Sequence, residues 1–199
     1  MPAQTSPHPP GPAPRRPRAD ATRNRARVSD AAVEVFAEKG LDATVADVAR
    51  RAEVGNATVF RHFPTKADLL SEVAGRWMET WSADVAAYLQ DDRDDTLRLL
   101  LAELLDRFRR DKFALDALWS GDFDDRMRLA REELMGRWSV ALDRAVGAGL
   151  VAPDVTLDDL ALLVLGMASR LSETGDAAPA SWQRAARFAW AAVARPADV

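Results

Sequence analysis

Between Thr44 and Pro64 the sequence leaves room for little except two short helices joined by a tight turn. Thr44 stands where a helix N-cap is needed, and Asp47, three residues on, completes an acidic variant of the capping box. Val45, Val48, Ala49 and Ala52 recur at helical spacing and form an apolar stripe. Glu53-Val54-Gly55 then breaks the pattern as a three-residue turn. A second short helix fits Asn56 to His62, and Pro64 marks its end, because the residue before a proline is steered away from helical backbone. Upstream, Thr22 to Lys39 reads as a bracing helix. Val28, Ala32, Val35 and Phe36 share one face, and Gly40 sits where a left-handed C-cap belongs. Three helices with a three-residue turn between the second and third make a helix-turn-helix.

The rest of the chain carries the same helical period and no strand alternation, so the expected fold class is all-α with about nine helices. Thr65 caps a long fourth helix, with Asp68 at its third position, running to about Gln90. The acidic cluster Asp91, Asp92, Asp94 and Asp95 interrupts it. Helices are then expected at Thr96 to Arg110, Lys112 to Trp119, Asp124 to Val146, Leu157 to Leu171 and Ser181 to Arg195. Residues 1–20 hold most of the prolines and are expected to be a disordered Pro/Arg-rich tail. Residues 21–66 form the helix-turn-helix domain, and 67–199 a second helical domain.

Charge distribution points to a partner for the first third alone. The net charge is −4, yet residues 1–66 hold 11 Lys and Arg against 7 Asp and Glu, while the remainder holds 16 against 24. The excess is concentrated in Arg15, Arg16, Arg18, Arg23, Arg25 and Arg27. A basic end on an acidic body suits a polyanion bound at that end. With no cysteine, disulfides, thiolate catalysis and sulfur-based zinc sites are excluded. Met1 to Arg18 lacks the apolar segment of a secretory signal, no run is long and apolar enough for a membrane helix, and a cytoplasmic location without membrane partners is expected. His62 has no companions for a metal site. There is no glycine-rich phosphate loop and no nucleophile with a base, so neither a cofactor nor enzymatic activity is expected.

The second short helix can be sorted by angle. Val59 and Phe63 face inward with Val54, whereas Ala57 and Arg61 point away, flanked by Asn56, Thr58 and Phe60. Small, polar and cationic side chains suit a helix that enters a major groove of double-stranded DNA. There Arg61 can donate two bonds to guanine, Asn56 can pair with adenine, and Ala57 can touch a thymine methyl.

At this point the residues resemble a known family. Arg23 to Gly40 (RNRARVSDAAVEVFAEKG), Thr44-Val45 with Val48-Ala49 and Ala52, Ala57 to Phe63 (ATVFRHF), then Lys66 and Leu69-Leu70 look like the signature of TetR-type bacterial transcriptional regulators. The resemblance covers about residues 22–75. It implies a ligand-responsive repressor that binds a palindromic operator as a homodimer. It also implies that Thr44 binds a phosphate, that Asn56, Ala57, Thr58 and Arg61 face the groove, and that Phe60, His62 and Lys66 lie near the DNA backbone; Arg25, in the basic run Arg15 to Arg27, is expected to contact phosphate as well, unless that run is only a soluble tail. Two positions depart from the pattern. Phe60 stands where Tyr is usual and cannot donate a hydroxyl bond, and the turn reads Glu53-Val54-Gly55 where Gly-Val-Ser is common.

Six tryptophans lie in the chain, and they either pack a core or interface or line a cavity for a small-molecule effector. On the second reading the lining candidates are Trp77, Trp81, Phe108, Trp119, Met135 and Trp138. Arg137 and Glu133 are either polar determinants of that cavity or a surface pair. The Leu157 to Leu171 helix is apolar nearly all round, as a helix with partners on two sides would be. The resemblance implies that this helix and the last one pair with their symmetry mates as a four-helix bundle, through Leu160, Val164, Met167, Leu171, Trp182, Ala186 and Trp190; the alternative is a monomer with both faces internal. The competing readings are an enzyme and a ligand-independent or non-specific DNA-binding protein.

Overall fold

A computed structural model of the chain describes residues 17–91, 93–119 and 125–195. Among these, nine α-helices account for nearly everything: α1 (Pro17–Lys39), α2 (Val45–Arg51), α3 (Asn56–His62), α4 (Lys66–Gln90), α5 (Thr96–Arg110), α6 (Lys112–Trp119), α7 (Asp125–Gly147), α8 (Leu157–Glu173) and α9 (Pro179–Val193). A single 3₁₀ turn, Gly40–Asp42, follows α1, and an isolated bridge joins Val151 to Ala194. The first helix begins at Pro17 rather than Thr22, so the segment expected to be a disordered tail ends in helix. Proline is tolerated at that end because the first helical N–H has no partner to lose. Most of the tail, Arg15 and Arg16 included, lies outside the described residues.

Helix starts are set by one repeated device. Thr44, Thr65 and Thr156 each accept a bond from the backbone N–H three residues on, and Asp47, Asp68 and Asp159 each accept one from the threonine N–H. Each cap contributes about 1 kcal/mol and fixes where its helix begins. Gly40 ends α1 at φ +60, a backbone that glycine adopts without penalty.

Val28, Val35, Phe36, Val48, Val59 and Phe63 form the core of the first three helices, all at most 3% exposed. Polar links fix their angles. Arg51 of α2 bridges Glu34 and Glu38 of α1, and Arg27 donates to the Ala52 carbonyl at 2.6 Å. The core continues into the body along α4, whose first half packs on α1 and whose length lies against α7. Several contacts hold the three-helix unit on the body, two of them at the junction of α1 and its 3₁₀ turn with α6 and α4. Phe36 meets Phe113 of α6 edge-on, with ring centroids 5.5 Å apart, and Lys66 at the start of α4 donates to the Leu41 carbonyl at 2.7 Å. In the body, α5 lies along α9, and α8 and α9 pair as a helical hairpin.

The α8 helix is not enclosed on all sides within one protomer. Leu160, Val164 and Ala168 are buried, whereas Leu162 is 75% exposed, and Phe188 of α9 is 61% exposed. Among the described residues, no helix is long and apolar enough to cross a membrane.

Candidate nucleic-acid interface

Two seven-residue helices meet at a turn whose geometry aims α3 outward. The chain leaves α2 at Ala52, passes through Glu53 at φ 54, and enters α3 from Gly55. The Glu53 N–H donates to the Arg50 carbonyl and the Val54 N–H to the Ala49 carbonyl, closing the turn. Val59 and Phe63 then seal one side of α3 against the core. Asn56, Ala57, Phe60 and Arg61 are exposed on the other side, with Thr58 and His62 half-buried at its margins. Arg61 makes no hydrogen bond or ion pair among the described residues, so its five donors face water.

The remaining expected DNA contacts are engaged inside the protein. Arg25 donates to Glu72 of α4 at 2.8 Å and to the His62 carbonyl, and its guanidinium lies 4.6 Å from the Phe63 ring centroid. Lys66 is held by Leu41, as described above. The Thr44 hydroxyl is part of its own capping box. Asp47, buried beneath that cap, accepts from Lys39 at 2.7 Å and from Arg50 at 2.6 Å. Lys39, then Thr44 and Arg50, hold its carboxyl far below the usual carboxylate range. The sequence reading missed Lys39 and Arg50, because nothing in their spacing tells that both converge on Asp47.

A second feature lies in the body. A cavity of about 100 Å³ opens between α4, α5, α7 and α8. Trp81, Met135 and Trp138 line it, as the sequence suggested, together with Leu101, Leu104, Arg131, Leu134, Leu157, Leu160, Ala161, Val164 and Leu165. Trp81 is fixed from behind: Arg107 of α5 lies 4.4 Å from its ring centroid and pairs with Asp84. Two of the expected lining residues are elsewhere. Trp77 and Phe108 stack on each other, with centroids 6.5 Å apart and planes at 12°, and fill core rather than cavity. The Trp119 side chain lies outside the described residues. Glu133 and Arg137 pair with each other at 2.6 Å on the surface of α7.

The residues expected at a dimer seam also divide. Leu160 and Val164 are buried and line the cavity, and Trp182 and Ala186 are buried within the protomer. Trp182 donates its indole N–H to the Asp176 carbonyl at 2.6 Å. These four are already largely buried within the protomer. Met167, Leu171 and Trp190 are half-buried, and Leu162 and Phe188 are the large apolar side chains that α8 and α9 leave open.

Comparison with known proteins agrees with this architecture. The model of bacterial regulatory proteins of the tetR family matches residues 28–73, which span α2 and α3 with parts of α1 and α4. The structure is similar to a TetR transcription regulatory protein from Mycobacterium vanbaalenii, with 31% identity over 79% of this chain and 97% of that one, at a TM-score of 0.56. It is also similar to a TetR transcriptional regulator from Streptomyces coelicolor, with 25% identity over 87% and 99% of the two chains and a TM-score of 0.62. The fold is shared with the transcriptional regulator FadR from Bacillus subtilis, solved in complex with stearoyl-CoA, at 15% identity over 84% and 98% and a TM-score of 0.63. No curated protein matches the chain significantly. The helix-turn-helix, the helical body behind it and the identity to the Mycobacterium vanbaalenii protein together place this chain in the TetR family of bacterial transcriptional regulators.

Proposed function

We propose that this DNA-binding regulator is a ligand-responsive repressor that acts in the cytoplasm and binds a palindromic operator as a homodimer. The observation that carries the reading is the exposed face of α3, with an unpaired Arg61 beside Asn56 and Ala57. Residues 21–66 read the operator in this scheme, and 67–199 sense and dimerise. Arg61 and Asn56 contact base edges. Thr44, Phe60, His62, Arg25 and Lys66 orient the helices, or lie near phosphates once DNA is bound. Two copies associate through α8 and α9, where Leu162, Phe188, Met167 and Leu171 present apolar surface that a second copy would cover.

The path from cavity to DNA runs along α4. Trp81 borders the cavity, and Glu72, nine residues earlier and so about 14 Å along the helix, accepts from Arg25 and from Ser29 of α1. Arg76 adds bonds to Ser29 and Asp30. A ligand that displaces Trp81 therefore moves the helix to which α1 is tied, and with it the separation of the two recognition helices. Such coupling requires only that the ligand bind one arrangement better than the other, typically by about 1–3 kcal/mol. FadR from Bacillus subtilis, with the same fold, holds an organic ligand.

The test is operator selection from random DNA with the purified full chain, followed by sedimentation of the complex. Enrichment of an inverted repeat bound by two copies is expected. Failure to enrich any sequence over random DNA would overturn the operator reading.

A further inference from the structure

Resting on the reading of the α4–α5–α7–α8 cavity as the effector site, we propose that it takes a small apolar carboxylate, with the acid group held by Arg131. Among the described residues Arg131 is the only charged one that lines the cavity; the other walls are Leu, Trp, Met, Ala and Val side chains. It is exposed at the mouth and makes no hydrogen bond or ion pair among the described residues. Its neighbours on α7 are matched to each other: Arg128 pairs with Glu132, and Arg137 with Glu133. Among the described residues Arg131 is thus left without a counter-ion, and it stands where an apolar ligand would end.

The chemistry of the occupant follows from this arrangement. An apolar wall selects hydrocarbon and cannot orient it. A guanidinium at the rim supplies orientation, because its planar fork matches a carboxylate with two parallel bonds. Among the described residues, no contact of Arg131 has to break for that pair to form. A single rim cation balances a monoanion and leaves half the charge of a phosphate monoester uncompensated, which favours the carboxylate. The size is also bounded. A cavity of roughly 150 Å³ admits benzene, so about 100 Å³ suits a short alkyl chain or part of one ring, with the rest of the ligand and its head group at the mouth.

Matched acids and alcohols provide the test. Binding of 3-phenylpropionate and 3-phenylpropan-1-ol, and of hexanoate and hexan-1-ol, is measured by calorimetry on the full chain. The proteins are wild type, Arg131→Gln and Ala161→Trp, the last designed to fill the cavity. Arg131 and Ala161 are both exposed, so neither variant removes core packing. Each acid should bind wild type roughly tenfold more tightly than its alcohol, the ratio a charge-assisted hydrogen bond confers. Arg131→Gln should erase that preference without weakening the alcohol, and Ala161→Trp should abolish binding of all four. Equal binding of acid and alcohol, or a preference that survives Arg131→Gln, overturns the carboxylate assignment and leaves the cavity as an apolar site. Acid binding that survives Ala161→Trp, or no binding of any probe, overturns it as well. Operator release is read separately by gel shift. Acid that binds through Arg131 without releasing DNA leaves the carboxylate site in place and overturns the effector reading instead.

Discussion

Replacing Glu53 by glycine should stabilise the protein, and the reason is confined to one backbone angle. Glu53 sits at φ 54, in the left-handed region, while every other positive-φ residue among the described ones is glycine. A side chain in that conformation crowds its own carbonyl, at a cost of about 1–2 kcal/mol. Glycine removes the crowding but adds backbone freedom to the unfolded chain, which costs about 0.4–1 kcal/mol. The net gain is therefore about 0.5–1 kcal/mol. In a chain of this size that raises Tm by about 1–4 °C. The Glu53 side chain is exposed and makes no hydrogen bond or ion pair among the described residues, so truncating it breaks no contact. Glu53→Ala is the control: it removes the same charge but keeps Cβ and the strain, and should move Tm by less than about 1 °C. Both variants and wild type are melted at one protein concentration, since dimerisation makes Tm concentration-dependent. Operator affinity should be the same for the two variants, because the turn keeps its shape in each. A Tm rise equal in Ala and Gly would assign the effect to charge. A fall in Gly would show that the turn does not hold this residue left-handed, and either result refutes the reasoning.

Other perturbations separate the roles argued above. Arg61→Ala should cost about 1–3 kcal/mol of operator affinity and relax preference at one position; binding to a panel of point-changed operators checks this, and an unchanged preference profile would reassign the reader. Leu162→Glu with Phe188→Glu should yield a folded chain that sediments as a monomer, whereas Val164→Glu, at 2% exposure, should unfold the protomer; far-UV circular dichroism distinguishes the two outcomes. Because Lys39, then Thr44 and Arg50, depress the Asp47 pKa below its unfolded value, this carboxylate contributes stability above about pH 4 that is lost as pH falls further. Asp47→Asn should therefore lower stability at pH 7 and flatten its decline between pH 5 and 3, as followed by urea midpoints. Removing residues 1–16 deletes Arg15 and Arg16, and should reduce the salt slope of binding by up to about two counterions' worth without changing sequence preference.

The helix-turn-helix was legible because its signals are short in range. A capping box spans four residues, a turn three, and an inward face repeats every three or four. Thr44 with Asp47, Glu53 to Gly55, and Val59 with Phe63 therefore declared their places with no knowledge of the body. Helix boundaries farther along were legible for the same reason, and the Thr156–Asp159 box that starts α8 repeats the pattern. What could not be read were relations set by packing over long separations. Arg25 stands 47 residues from Glu72, and nothing local distinguishes it from the other arginines of the basic segment that precedes Val28. The family-like departure at Glu53 was visible as a substitution, but its physical content, a strained φ, emerges only from the folded turn.

The cavity illustrates the same limit from the side of α8. An apolar pattern states that a residue avoids water without stating what it avoids water against. Within one turn and a half of α8, Val164 packs into the core and borders the cavity, Leu165 borders the cavity half-buried, and Leu162 projects into solvent. Trp77 and Trp81 lie one turn apart on α4, yet only Trp81 reaches the cavity, because Phe108 of α5 stacks on Trp77 and closes that direction. A helix that must face a core, a cavity and the outside at once is apolar all round. Its sequence then carries no angular signal, and the assignment of its faces has to come from the neighbours that pack against it.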